Sequence, residues 1–456
     1  MPSGCQPPKN LASLKKGLAP FLSEKIAVVV AYSGGLDSHV LLHLCATLKV
    51  NLVRAIHIHH GLNSEADFWA SHCEETCQQL SVPFSLIQVD AKPRKGESRE
   101  EAARDARYDA LKSHLQKDEL LLTAQHREDQ AETLLLQLFR GCGVKGLAAM
   151  PVSMQFGRGQ LVRPLLDCSQ STLRDYASAH KLHWIEDSSN QDQSFDRNYL
   201  RQSIMPLLEK RWPTISGRLA RTSSHCGEAS SLLNGMADRL LHELISADGE
   251  SLLIDRVLDL SDAQKRLILR RWIDSQKGRP PSQRLLKEII QNVLTASIDA
   301  MPSVHWSGFS IRRYRNQLYF MSESVEPVRE SCLSWDVREA NITIGRYGEL
   351  TARITPAVGV SAKLWNKGPV TIHFRRGGER LKPIGRSGTH QLKKLFQEAG
   401  IPPWIRKKIP LVYINNQLAV VSGLWIADWC KGEGLGEDIL LSFLEAAHYR
   451  NSNNII

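Results

Sequence analysis

An apolar run, Ile26-Ala-Val-Val-Val-Ala-Tyr32, breaks off at Ser33-Gly34-Gly35-Leu36-Asp37-Ser38 and gives way to His39–Leu48, a segment of helical composition. The run is too short for a core helix and rich in β-branched residues, so it reads as a buried strand. Asp37 or Ser38 is placed to cap the helix that comes next. A glycine pair between strand and helix lets backbone N–H groups close on an anion at the helix's positive end. No lysine comes after the glycines, which excludes a Walker A loop. A strand, a bare turn and a helix in this order point to an α/β layer with its ligand at the carboxyl end of the sheet.

The same rhythm continues to about Gly146. Strands are expected at 26–32, Leu52–Ile58, Phe84–Val89 and Glu119–Ala124, with helices at about 39–48, 65–80, 98–115 and 127–140. That alternation predicts a parallel sheet covered on both faces. Residues 160–212 add a strand-like piece, a helix at Ser171–His180 and the polar run Glu186–Ser194. From about 216 to 300 the pattern is helical, and Leu285, Leu286, Ile289, Ile290, Val293 and Leu294 form an apolar stripe that reads as core. Phe309–Phe320 predicts a hairpin turning near Arg315-Asn316, and the acidic stretch Ser322–Ser331 reads as a linker. Short β-like runs and a helix at Gln391–Ala399 predict a small α+β module beyond it.

At 456 residues the chain is too long for one ordinary core, and two to three domains are expected. No apolar stretch approaches a membrane span, and Met1–Lys9 lacks a signal-peptide core; it reads as a flexible lead-in. Nine cysteines without a C-x-x-C pair fit reduced cytoplasmic thiols, and Cys73 and Cys77, one helical turn apart, read as packing. Between Lys363 and Lys408 lie twelve Lys or Arg against Glu379 and Glu398, a surplus equal to the +10 of the whole chain. A one-signed patch of that kind is expected to meet a polyanion.

Thr123–Thr133 begins at a strand end and enters a helix in which Asp129 and Glu132, three apart, share a face. Two carboxylates there suit Mg²⁺ or an ammonium group, while helix capping is the plainer role for one of them. In the helix around Glu100-Glu101-Ala-Ala-Arg104-Asp105-Ala-Arg107-Tyr108, Arg104 and Arg107 share a face and suit either phosphate or neighbouring acids. His57, His59 and His60 close the second strand without a cysteine beside them, so lining a nucleotide cleft fits better than zinc.

The loop 33–38 resembles the SGGxDS signature of the PP-loop, or N-type, ATP pyrophosphatases. The order of that loop, His59-His60-Gly61-Leu62, Glu101-Ala-Ala-Arg104…Arg107-Tyr108, Thr123–Thr133 and Arg140-Gly141 resembles the tRNA(Ile)-lysidine synthases. Arg163-Pro164-Leu165-Leu166, Trp184–Asn190, Arg197-Asn198…Arg201 and Arg375–Arg380…Lys393-Lys394-Leu395-Phe396 extend the likeness over nearly the full chain. Two departures stand out. Glu128 occupies a position where many members carry aspartate, and Cys142 one where serine is usual.

The resemblance implies a ligase that uses ATP and Mg²⁺ to adenylate the wobble cytidine of tRNA(Ile) with a CAU anticodon, after which free L-lysine displaces AMP. It implies that Ser33, Gly34, Gly35, Leu36, Asp37 and Ser38 bind ATP, with Asp37 on the metal. Asp129 and Glu132 would hold lysine, and Arg107, with Arg104 second to it, would position phosphate. Arg197, Arg201, Arg375, Arg376, Arg380, Lys393 and Lys394 would contact the tRNA. The implied organisation is a flexible stretch at 1–20 and an α/β catalytic domain at 21–215. A mainly helical tRNA-contacting domain comes next at 216–325, then a linker with the start of the last module at 326–360, and a basic α+β tRNA-binding domain at 361–450. A cytoplasmic location is expected, and the oligomeric state stays open, a homodimer included. The alternatives are a tRNA thiolase of the same superfamily, whose cysteine arrangement is missing here, and a non-catalytic tRNA-binding protein, against which the intact Gly34, Gly35 and Asp37 argue.

Overall fold

A computed structural model describes residues 11–21, 26–48, 52–61, 65–92, 99–186, 191–247, 249–322, 332–345, 348–434 and 438–445. The chain divides into two compact units, 1–233 and 234–456. No described helix is long and apolar enough to cross a membrane. Residues 1–10 of the stretch expected to be flexible, 187–190 of the polar run and 323–331 of the expected linker lie outside the described residues; 11–18 of that stretch are instead a helix whose Leu14 and Leu18 are buried in the core.

In the first unit the order is α1 (Leu11–Leu18), β1 (Val28–Ala31), α2 (Leu36–Thr47), β2 (Val53–His59), α3 (Ala66–Gln79), β3 (Phe84–Gln88), α4 (Arg99–His114), β4 (Leu120–Leu122) and α5 (Arg127–Phe139). Then come α6 (Val144–Leu147), β5 (Ser153–Phe156), β6 (Gly159–Val162), α7 (Gln170–Ala179) and α8 (Asp196–Tyr199). A π-helical turn (Leu200–Ile204) leads into α9 (Met205–Arg211) and α10 (Ile215–Leu244), whose residues from 234 on belong to the second unit. The six strands form one sheet in the order β3-β2-β1-β4-β6-β5. All neighbours run parallel except β5, which returns antiparallel along β6.

The uninterrupted apolar runs of β1 (Val28–Ala31) and β4 (Leu120–Leu122) make sense at the centre of a sheet covered on both sides. Val28 and Val30 of β1 pack with Leu41, Leu44, Leu173 and Tyr176 from α2 and α7. Val29 points the other way, to Ile56, Leu111, Leu115, Leu121 and Phe156. β1 lies between β2 and β4, so the chain reverses its direction of winding there, and a crevice opens at the carboxyl ends of β1 and β4. Ser33 lies just past the first of these ends and Gln125-His126 past the second.

One local expectation is corrected. Helix α2 starts at Leu36, with Gly35 in the capping position and no side-chain cap, so neither Asp37 nor Ser38 caps it. Asp37 instead lies in the first turn, and the Ser38 hydroxyl folds back onto the loop.

The second unit departs from an all-helical reading of 216–300. A three-residue strand, Ser251–Leu253, joins Gln317–Ser322, Phe309–Tyr314 and Ser303–Trp306 in a four-stranded antiparallel sheet. The hairpin turns at Arg315-Asn316 as its sequence predicts, with Arg315 at φ 54°. Trp272, Leu286, Ile289, Val293 and Leu294 are buried together beneath this sheet, so the apolar stripe is core.

The α+β module is already under way by Leu333–Trp335, since Trp335, Ile344 and Leu350 belong to the same core as Leu392, Phe396 and Leu411. Its five-stranded sheet runs 333–335, 370–373, 411–414, 417–421, 425–426. A four-stranded sheet is built around Gly348–Thr355, which pairs along all eight residues with the last described strand, Asp438–Glu445. Helix Leu392–Glu398 falls inside the expected range.

Candidate nucleotide and amine site

Gly34 sits at φ 85°, a conformation open to glycine, at the carboxyl end of β1. A Cβ there would stand 2.9 Å from both Cys73 Sγ and Ile185 Cδ1. The loop is tied from three directions. Ile185 N donates to Gly34 O (3.0 Å), and Ser33 N donates to Ser38 Oγ (3.2 Å). Ser38 Oγ in turn donates to Gly35 O (3.0 Å). The result is a rigid turn whose backbone faces the start of a twelve-residue helix, the arrangement that suits a polyphosphate.

Asp37 Oδ1 is buried without a hydrogen-bond partner, and Asp37 Oδ2 lies 3.6 Å from His126 Nε2. His126 is itself buried, with Nδ1 2.9 Å from Glu128 Oε2 and Nε2 3.5 Å from Asp129 Oδ2. Burial alone would drive this imidazole down; Asp37, Glu128 and Asp129 overcome that and hold it up at about 10. His126 is therefore an imidazolium that ties the β1 loop to the start of α5. Local spacing gave it no special role, because its partners include a carboxylate from the first loop. Gln125 Oε1 beside it is also buried and unpartnered. Glu128, where the sequence departs from the commonest pattern, pairs with His126 and accepts from Gln170 N (2.9 Å).

Asp129 takes the helix-capping role that the sequence offered for one of the two acids. Its Oδ2 accepts from His126 N (3.0 Å), closing the amino end of α5, while Oδ1 faces two guanidinium groups. Arg201 donates from Nη2 to Asp129 Oδ1 (2.8 Å) and from Nε to Glu132 Oε1 (2.7 Å). Arg197 donates from Nη2 to Asp129 Oδ1 (3.0 Å) and from Nε to Glu132 Oε2 (2.9 Å). Burial alone would raise the Asp129 carboxyl, but His126, Arg197 and Arg201 hold it below the usual range. The segment carrying both arginines is anchored on α5 through Leu200 and Met205, which pack on Ala131 and Leu135. Arg197 and Arg201, expected at the RNA, are thus engaged by the acidic pair in this structure.

At the neighbouring strand end Arg107 Nε donates to His60 Nε2 (3.2 Å), whereas Arg104 lies over the Tyr108 ring at 5.0 Å. Burial, then Arg107, pushes His60 down to about 4, which keeps it a neutral acceptor. His57 donates from Nδ1 to Tyr32 O (2.9 Å), and His59 pairs with Asp67 (3.1 Å). The three histidines have separate partners, and among the described residues no three His, Cys, Asp or Glu gather to hold a metal. Cys73 and Cys77 are buried, each pushed up to about 12 by burial first of all, and Cys142 donates to Gln137 Oε1 (2.8 Å).

In the second unit Arg376, Arg380, Lys393 and Lys394 are exposed. Arg375 is half-buried, with its guanidinium 5.8 Å from the Phe396 ring centre and Nε 3.6 Å from Glu379 Oε2. Its place in the packing sets it apart from the four solvent-facing cations.

A glycine turn at the switch point of a parallel sheet, without a Walker A lysine, fits the PP-loop class, and the PP-loop domain model matches residues 8–208. Models described as the TilS substrate binding domain and the TilS substrate C-terminal domain match 252–319 and 370–438. The tRNA(Ile)-lysidine synthase of Methylococcus capsulatus is 43% identical over 94% of this chain and 96% of its own length. Those of Coxiella burnetii (41%, covering 89% and 90%) and Photorhabdus laumondii (43%, covering 90% and 92%) match similarly. The chain belongs to the tRNA(Ile)-lysidine synthase family.

Proposed function

We propose that the crevice at the carboxyl ends of β1 and β4 joins lysine to C2 of the wobble cytidine in tRNA(Ile) with a CAU anticodon. The enzyme is a ligase that forms a C–N bond and consumes ATP. In the first step the cytidine O2 attacks the α-phosphorus, the bond to the bridging oxygen breaks, and pyrophosphate leaves. In the second the lysine ε-ammonium gives up a proton to solvent, the resulting amine attacks C2 and sheds a further proton, and AMP departs with the former O2.

Each group in the crevice suits one part of this sequence. The Ser33–Ser38 turn presents main-chain N–H groups to the phosphates without needing to rearrange. The orphaned Asp37 Oδ1 fits a Mg²⁺ ligand, and such an ion would offset the charge that builds on pyrophosphate. Asp129 and Glu132 form an anionic seat for the lysine ammonium, and Arg107 lies at the adjoining strand end for the α-phosphate. Arg376, Arg380, Lys393 and Lys394 grip RNA phosphates, which position the tRNA without reading its sequence. ATP, free lysine and tRNA are cytoplasmic reactants, and the reaction belongs in that compartment.

The observation carrying this reading is the unpartnered Asp37 oxygen beside a glycine cradle and a buried acidic pair. Incubation of unmodified tRNA(Ile) with ATP, Mg²⁺ and lysine should release pyrophosphate and yield lysidine by mass spectrometry. Asp37→Ala should abolish both products while tRNA binding persists. Equal loss of product and tRNA affinity would contradict the role given to Asp37.

A further inference from the structure

We propose that Arg197 and Arg201 act as a tethered stand-in for the substrate's ammonium, so that an amine reaches Asp129 and Glu132 by displacing a guanidinium. This rests on the reading that the two carboxylates hold lysine, and it assigns the arginines a role in admitting the amine. Glu132 is 2% exposed and Asp129 12%, whereas Arg197 and Arg201 are 26% and 37% exposed. The acids are therefore covered and the cations lie on their solvent side.

Acceptor capacity leads to the same conclusion. Two ionised carboxylates offer about eight lone-pair positions. The arginines fill five of them and His126 N a sixth. An ammonium brings three donors, one more than the remaining positions can take, so seating it fully on the two carboxylates opens at least one guanidinium bond. Arg201, the more exposed of the two, is the one expected to give way. It lies in the π-helical turn, a geometry frequent at functional sites, while Leu200 and Met205 keep the segment on α5. The released guanidinium is then available to a phosphate, which reconciles its present ion pairs with the RNA role expected from sequence. By linkage, lysine should tighten RNA binding, and RNA should tighten lysine binding by the same factor.

The test is calorimetric titration of the full chain with lysine in the presence of a non-hydrolysable ATP analogue. Removing the competitor with Arg201→Ala should lower the lysine Kd by about tenfold, the scale of one charge-assisted contact. Arg201→Lys, which restores a tethered cation, should return the Kd to or above that of the parent. In turnover, the KM for lysine should fall in Arg201→Ala without a rise in kcat. In the unmutated chain, lysine should speed amide exchange across 197–204; if Arg201→Ala fails to fold, this measurement decides alone. An unchanged or weaker lysine affinity in a folded Arg201→Ala, or protection of 197–204 by lysine, overturns the stand-in role. If Asp129→Asn and Glu132→Gln leave lysine affinity unchanged, the carboxylate seat itself is wrong, a separate failure.

Discussion

Replacing Gly34 by alanine should disable the nucleotide loop through two separable costs. At φ 85° a Cβ meets its own backbone, which costs about 1–2 kcal/mol. The same methyl would stand 2.9 Å from Cys73 Sγ and Ile185 Cδ1, and crowding of a packed site costs about 1–3 kcal/mol. Together they favour a displaced loop by about 2–5 kcal/mol, so the competent form should fall by roughly a hundredfold. Pyrophosphate release, measured with saturating lysine and tRNA, should fall accordingly. Adding Cys73→Ala and Ile185→Val removes the two opposing atoms but leaves the backbone strain, so about a tenfold recovery is expected. A Gly34→Ala enzyme that releases pyrophosphate like its parent would refute the cradle. A dead single variant with no recovery in the triple would refute the steric share.

Glu132→Gln leaves two guanidinium groups facing one fewer charge in a buried setting and should cost about 3 kcal/mol, read as a melting temperature lower by roughly 6–12 °C. Unchanged melting would show that the quartet contributes nothing net. Lys393→Ala with Lys394→Ala should weaken tRNA binding and reduce the slope of log affinity against log salt by about 1.4–1.8, with ATP binding spared; a slope equal to the parent's would remove both lysines from the interface. Burial, followed by His72 and His43, pushes His39 down to about 4, so it is neutral in the fold, whereas the unfolded chain takes up a proton near 6.5. Stability should therefore decline as pH falls from about 6.5 towards 4, by at most about 3 kcal/mol from this group. Urea titrations of His39→Gln should show a shallower decline, and an identical one would exclude His39 as its source.

The parallel core was legible because β1 and β4 are apolar runs, because strand-like and helical segments alternate from 26 to 140, and because the glycine loop fixes how the chain leaves β1. Ser153–Phe156 was not, since its residues up to Gln155 are exposed and an edge strand of this length carries little alternation. Ser251–Leu253 is shorter still, and its sheet is set by pairing with a strand some 65 residues on. Within the candidate site, spacing along one helix pairs Asp129 with Glu132, while Asp37 stands out through the resemblance of its loop. The partners of Arg197 and Arg201 could not, because the acids that claim them lie 65 to 72 residues earlier in the chain. Arg375 shows the same limit: its charge is visible in sequence, but its place against Phe396 is a property of the packed module.

Strand Asp438–Glu445 pairs along its whole length with Gly348–Thr355, so the first and last parts of the α+β module complete one another. During synthesis this body stays open-edged until residues 438–445 have emerged, well after the six-stranded sheet has all its strands. A protease cut or early stop before residue 438 would thus leave a finished parallel sheet beside a module that still lacks the partner of its longest strand.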